Sequence, residues 1–329
     1  MNVLITGGTG FIGSRLTLRC LNAGNSVVAY GQENTPAEEQ NRKVIEDAGA
    51  KIFLASMTDT DSLSTAMQGI DVVFHLAAAQ HEANVPDSHF WAVNVEATKQ
   101  LLSIAEDVGV KRFVHGSTIG VYGSALSGQL DESSELQPDN IYGETKLAGE
   151  KAVLEAANRL PVVVVRISET YGPGDRRLLK LFKVINKNAF FRIGKGQNIH
   201  HLIYIDDLVD GFFAAAAEKK AVGEVFVLAG REPVTTDEMV DTIAEVLDRK
   251  VLPVRVPLSP MLMVATVMEN ILRPMGIQPP LHRRRMDFFR KSFLFSLDKS
   301  KKILGFEPKK SFYDGVKETA NWYKQAQLL

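Results

Sequence analysis

The chain has 329 residues, 45% of them hydrophobic and 23% charged, the make-up of an ordinary globular protein able to bury a large core. A formal net charge of −1 gives no field for gathering nucleic acid or an anionic membrane surface. Its single cysteine, Cys20, excludes an intrachain disulfide and suits a reducing, cytoplasmic compartment.

The first predicted element is a short apolar strand that begins at Asn2, an arrangement in which no signal or transit peptide is expected. No run of eighteen uncharged apolar residues predicts a bilayer span. The strand passes at once into Thr6-Gly7-Gly8-Thr9-Gly10-Phe11-Ile12-Gly13, and a helix is predicted from Ser14. Gly7 allows a tight turn, Gly10 lets backbone approach a pyrophosphate, and Gly13 lets the helix pack closely on the strand. The helix N-terminus then offers free N–H groups and the positive end of its dipole to phosphates. Together these features predict dinucleotide binding.

Further strands are predicted at 25–30, 51–55, 72–76, 112–115 and 161–167, each a short β-branched run with a helical pattern between it and the next. The strongest helical patterns span 93–108 and 142–158. This alternation predicts an α/β fold, a doubly wound parallel sheet of Rossmann type with ligands at the carboxyl ends of its strands. Residues 1–172 are read as the dinucleotide-binding domain and 173–329 as a smaller α/β substrate lobe, some of whose segments return to the sheet. The lobe is predicted to carry helices at 177–187, 206–217, 236–247 and 313–325, and strands at 190–193 and 224–228. Between Pro253 and Pro280 lies a proline-rich segment around an apolar stretch, 261–268.

Tyr142 and Lys146 stand four apart on a predicted helix and so share one face. An ordinary tyrosine, with a pKa near ~10, is a poor base at neutral pH. A neighbouring ammonium favours the phenolate, so the pair can exchange a proton with a substrate hydroxyl or carbonyl. Ser117 and Thr118 end the strand at 112–115 and can offer a hydroxyl to the reacting oxygen.

With these residues the chain resembles the extended short-chain dehydrogenase/reductase family, in its epimerase/dehydratase branch. The resemblance runs through Thr6 to Gly13, Asp71 to Ala78, Asn94 to Thr98, Phe113 to Gly123, Tyr142 to Lys146 with Glu150, Arg166 to Gly174, Tyr204 to Asp207 and Leu304 to Pro308. It implies that Thr118 polarises the substrate oxygen, Tyr142 is the acid/base, and Lys146 tunes Tyr142 and holds the nicotinamide ribose. It also implies that Phe11, Ile12, Leu76, Ala77 and Asn94 line the cofactor beside Gly7, Gly10 and Gly13. His75 is read as a buried strand-end histidine. No metal site is expected.

Several positions depart from the family pattern. The acid that usually ends the second strand and binds the ribose of NAD, or the arginine that follows it for NADP, is replaced by Gly31 and Gln32. Arg15, Arg42 and Lys43 are cations that could still reach a phosphate. The acid that commonly contacts adenine is replaced by Ser56, beside Met57, which is placed among the cofactor-lining residues. NAD is therefore the expected cofactor, with NADP left open beside it. Ile119 and Gly120 replace the proton-transferring pair of the 4,6-dehydratases, which argues against that activity. Where sugar-nucleotide members hold the substrate diphosphate with asparagine and arginine, this chain has Glu169 and His200. A carboxylate there needs a compensating cation, and Arg285, in the run from His282, is the candidate. Glu169, His200 and Arg285 are thus the expected substrate-binding residues.

The expected activity is NAD(P)-linked hydride transfer at a secondary alcohol or ketone carbon of a small molecule, in the first place a nucleotide sugar. Two alternatives stand beside it. One is hydroxysteroid-dehydrogenase-like or reductase action on an apolar substrate, for which Met261, Met263 and Met268 could supply a ligand surface. The other is a catalytically idle module that senses the cofactor. A homodimer is expected through the helices at 93–108 and 142–158, with Leu101, Leu102, Ala105, Leu147, Val153 and Leu154 as apolar surface beyond the needs of one sheet face.

Overall fold

A computed structural model describes residues 1–80, 85–124, 128–272 and 286–329. In chain order its first half runs β1 (Asn2–Thr6), α1 (Phe11–Asn22), β2 (Ser26–Gly31), α2 (Pro36–Asp47), β3 (Lys51–Leu54), α3 (Thr60–Ala66) and β4 (Val72–His75). There follow α4 (Asp87–Trp91), a π-helical turn (Ala92–Glu96), α5 (Ala97–Asp107), β5 (Arg112–Thr118), β6 (Gln129–Leu130), α6 (Ile141–Glu155) and β7 (Val162–Ile167). A seven-stranded parallel sheet has the order Val225–Leu228, β7, β5, β4, β1, β2, β3. Its direction of winding reverses between β1 and β4, which places the ligand crevice at their carboxyl ends. The edge strand Val225–Leu228 comes from the second half of the chain and pairs with β7.

The central strands are buried on both faces, which is why β1, β4 and most of β7 read as apolar runs. Val3 and Ile5 of β1 point into one core with Leu16 of α1 and Phe212 of the helix Ile205–Ala217, while Leu4 points into the other. That second core joins Val73, Val162 and Val164 to Leu63 of α3, Leu101, Leu102 and Ala105 of α5, and Val153 of α6. The surplus apolar surface expected on the helices at 93–108 and 142–158 is therefore largely spent inside the chain. Leu101, Leu102, Ala105 and Val153 are buried against the sheet, and Leu147 packs with the cluster around Tyr122. Only Leu154 and Leu147 of the six remain partly exposed.

The helix expected as one piece at 93–108 begins instead with the π turn, in which Asn94 sits. Gly149 of α6 packs onto that turn so closely that a Cβ there would lie 2.5 Å from Asn94 O. A π turn is a frequent device where a helix must serve a site. In the second half, the segment around 261–268 folds as a helix, Leu258–Leu272, preceded by a mostly exposed strand, Leu252–Val256, that pairs with Phe191–Ile193.

Candidate active site

A cleft of about 1300 Å³ opens along the carboxyl ends of the strands, large enough for a dinucleotide and a second ligand. Its floor is the glycine loop. Gly7 has φ +69°, where a side chain is strained, and a Cβ on Gly13 would lie 2.0 Å from Gly7 O. The loop and α1 can meet this closely only because both positions are bare. Helix α1 starts at Gly10 with no side-chain cap and no acid in its first turn, so its leading N–H groups remain available to an anion. This cradle fits a pyrophosphate. Gly7, Gly10, Phe11, Ile12 and Gly13 line it, and Met57, Leu76 and Ala77 continue the wall.

Asn94 does not line the cleft. It is buried beneath the loop after β4, where Oδ1 accepts from Ala79 N at 2.8 Å and Nδ2 donates to Ala79 O at 3.2 Å and Thr145 Oγ1 at 3.0 Å. Its side chain is fully engaged in tying that loop to α6, which corrects its expected placement among the cofactor-lining residues. His75 plays a similar part. Thr6 Oγ1 accepts from the backbone N–H of Leu76 and Ala77, so its proton goes to His75 Nδ1 at 2.7 Å. His75 Nε2 then donates to Thr98 Oγ1 at 2.9 Å, and Thr98 donates to Asn94 O. Burial pushes the His75 pKa down to about 3, consistent with a neutral ring that shapes the loop.

Thr118, Tyr142 and Lys146 line the same cleft as the glycine loop. Thr118 Oγ1 accepts from Gly120 N at 3.1 Å, which leaves its proton for another oxygen. Tyr142, in the first turn of α6, receives a hydrogen bond on its hydroxyl from Gln80 Nε2 at 3.1 Å. Asn140 caps that helix by accepting from Gly143 N at 3.0 Å. One turn further in, Lys146 is buried, with Nζ 3.5 Å from His115 Nε2. Burial, only partly opposed by Glu150, brings the Lys146 pKa down to about 8. Burial, then Lys146 and His75, hold His115 well below the usual imidazole range, so a neutral ring accepts from the lysine. Beneath this pair Glu150 takes Ser117 Oγ at 2.6 Å and Arg166 Nη2 at 2.6 Å in a wholly buried network.

Glu169 and His200 meet in the same cleft, His200 Nδ1 lying 3.0 Å from Glu169 Oε2. The ring is fixed from behind. His200 Nε2 lies 3.0 Å from Thr236 Oγ1 and 3.1 Å from Asn198 Nδ2, and Asn198 Nδ2 also donates to Phe288 O at 2.8 Å. Burial alone would raise the Glu169 pKa, but the His200 ring and the Arg177 guanidinium outweigh it and hold the carboxyl below its usual range. Within the described residues, then, His200 and Arg177 lie beside this carboxylate. Arg285 lies outside the described residues. Arg176 and Arg177, just after the Gly172 turn, line the cleft, whereas Met261, Met263 and Met268 do not; the helix that carries them contributes Glu269 instead.

The three cations considered for an extra phosphate are all engaged elsewhere. Arg15 grips Asp206 at 2.5 and 2.8 Å, Arg42 pairs with Glu33 at 2.9 Å, and Lys43 with Glu39 at 2.5 Å; none of the three lines the cleft. Sequence patterns gave no sign of Gln80, whose approach to Tyr142 depends on the loop that Asn94 ties down.

A bare phosphate cradle at the reversal point of a parallel sheet, faced by a hydroxyl, a phenol and a buried ammonium, defines a dinucleotide-dependent enzyme of the short-chain type. The chain matches the NAD dependent epimerase/dehydratase family over residues 3–229 and belongs to it. It is 30% identical over 264 residues to an uncharacterized UDP-glucose epimerase, YtcB, of Bacillus subtilis, covering 76% of this chain and 83% of that one. It is 27% identical to a 3 beta-hydroxysteroid dehydrogenase/Delta 5-->4-isomerase of Mycobacterium tuberculosis, over 98% of this chain and 90% of that one. Among solved structures, the UDP-glucuronic acid 4-epimerase of Bacillus cereus, crystallised with UDP-glucuronic acid and NAD, superimposes with a TM-score of 0.81 at 26% identity, over 99% and 100% of the two chains.

Proposed function

We propose that this protein binds NAD and carries out oxidation and reduction at a secondary carbinol carbon of a nucleotide sugar, inverting that centre. The observation that carries the reading is the joint presence, in one cleft with the bare phosphate cradle, of Thr118, Tyr142 and the buried Lys146. NAD, when bound, supplies the hydride acceptor and donor. Tyr142 takes the proton of the reacting hydroxyl and returns it, and Thr118 donates a hydrogen bond to the same oxygen. Lys146, as an ammonium one turn from Tyr142, favours the phenolate that this exchange requires. Ile119 is buried and Gly120 has no side chain, so neither can move a proton to eliminate water as a 4,6-dehydratase must.

The epimerase relatives and the UDP-glucuronic acid complex support a nucleotide-sugar substrate, and we take Arg176 and Arg177, which line the cleft, as the candidate partners of its diphosphate. One feature favours the second reading, a hydroxysteroid-dehydrogenase-like action on an apolar alcohol or ketone. It is the Glu169 carboxylate, which repels an unshielded diphosphate. Titration calorimetry with UDP, dTDP, GDP and ADP separates the two. Binding of at least one at submillimolar concentration is expected, and silence across the panel at millimolar concentration contradicts the nucleotide-sugar reading. We further propose residues 173–329 as the substrate lobe, a cytoplasmic setting consistent with the one buried cysteine, and a homodimer. The homodimer rests on the family resemblance of the 93–108 and 142–158 segments. No described helix is long and apolar enough to cross a membrane.

A further inference from the structure

The end of β2 lacks the acid that would meet the adenosine ribose, and the structure gives the reason. A Cβ on Gly31 would lie 2.6 Å from Thr9 Oγ1. Thr9 is buried and cannot easily yield, since its Oγ1 donates to Gln32 O at 2.7 Å and its carbonyl accepts from Asn41 Nδ2 at 2.9 Å. Any side chain at 31 would displace the phosphate loop itself.

The cleft wall just beyond this point is made by Gln32, Asn34, Thr35 and Glu38. Glu38 stands in the first turn of α2, where the helix dipole favours an anion. Its Oε2 accepts from Asn34 N at 2.9 Å and from Thr35 Oγ1 at 3.0 Å, while Thr35 Oγ1 accepts from Glu38 N at 3.2 Å. The carboxylate is thus anchored through one oxygen against the stretch that follows Gly31. No described lysine or arginine lines this end of the cleft, Arg42 and Lys43 being held by Glu33 and Glu39.

Resting on the reading that the cleft binds a dinucleotide, we propose that Glu38 is the residue that selects NAD over NADP. Its carboxylate stands in for the missing strand-end acid, accepting from a ribose diol and repelling a phosphate on that ribose. Specificity has moved from the strand to the next helix because Thr9 fills the space at the strand end.

The test is calorimetric titration of NAD and of NADP into wild type, Glu38→Gln and Glu38→Arg, with apo-protein melting temperatures alongside. Glu38→Gln keeps an oxygen to accept from Asn34 N, so the cap and the melting temperature should hold. Wild type should prefer NAD by at least about tenfold, and Glu38→Gln should tighten NADP by about tenfold or more, roughly 1.4 kcal/mol. Glu38→Arg should bring NADP level with NAD or ahead of it. A folded Glu38→Gln protein whose NADP dissociation constant is unchanged contradicts the assignment. Failure of both dinucleotides to bind wild type at millimolar concentration contradicts the cofactor reading itself, and the proposal with it.

Discussion

Lys146 and His115 form a buried pair in which the lysine Nζ lies 3.5 Å from the imidazole Nε2. The other ionisable groups acting on the pair are Glu150, which favours the ammonium, and His75, which disfavours a charge on His115. Stabilising the Tyr142 phenolate requires Lys146 as a cation. The ammonium is present below a pKa of about 8 and lost above it, so turnover should fall as pH rises through about 8. Replacing the acceptor, His115→Phe, should move that limb to lower pH, and His115→Gln should restore it. A turnover flat from pH 7 to 10 in the wild type counts against this role for Lys146.

Glu150 and Arg166 are 2% and 4% exposed and bridge α6 to β7. Glu150→Ala would leave the guanidinium charged and unpaired, so a loss of about 3–5 kcal/mol is expected in urea denaturation. The double variant Glu150→Leu with Arg166→Met should lose less than the two single changes together. Additive losses would mean that the ion pair does not couple these elements.

Gly149 lets α6 approach the π turn at Asn94 within what a methyl group would forbid. Gly149→Ala should destabilise the fold by about 1–3 kcal/mol, the range for overpacking. It should also lower turnover by more than the stability loss alone explains, because the same helix carries Tyr142 and Lys146. Unchanged kcat in a folded Gly149→Ala protein would show that the site tolerates this shift.

Static light scattering at micromolar concentration addresses the assembly. Twice the chain mass is expected, and the chain mass alone would exclude the homodimer. With Leu101, Leu102, Ala105 and Val153 buried in the chain's own core, any two-fold contact must rely on other residues of these helices.

The parallel sheet was legible because its central strands, buried on both faces, carry short β-branched apolar runs such as Val3–Ile5, Val72–Phe74 and Val162–Val165. Helix 236–247 was equally plain, since Thr235 and Glu238 form a capping box at its start. The helix Leu258–Leu272 was hidden by prolines on either side and an apolar stretch without a polar face; Met263, Val264, Val267 and Ile271 stay exposed. Periodicity identified Leu101 and Val153 as apolar but could not say which surface covers them. The four-residue spacing puts Tyr142 and Lys146 on one helix face, and Thr118 reads only as a strand-end residue. The family resemblance implies the roles of all three, whereas nothing in the sequence points to Glu38 or Gln80. Each owes its position to a contact between segments distant in sequence or to a cap, not to a spacing within a strand or helix.

In the proposed reaction Tyr142 drives reversible oxidation of a nucleotide-sugar carbinol. Proton NMR of UDP-glucose, UDP-galactose and UDP-glucuronic acid, each incubated with enzyme and NAD, tests it most directly. At least one should convert to a C4 epimer with no net change in reduced cofactor, and Tyr142→Phe should slow that conversion by about a hundredfold or more while NAD still binds. A Tyr142→Phe enzyme that keeps wild-type turnover contradicts the role given to Tyr142, and a wild type that epimerises none of the three contradicts C4 epimerisation of a UDP-hexose.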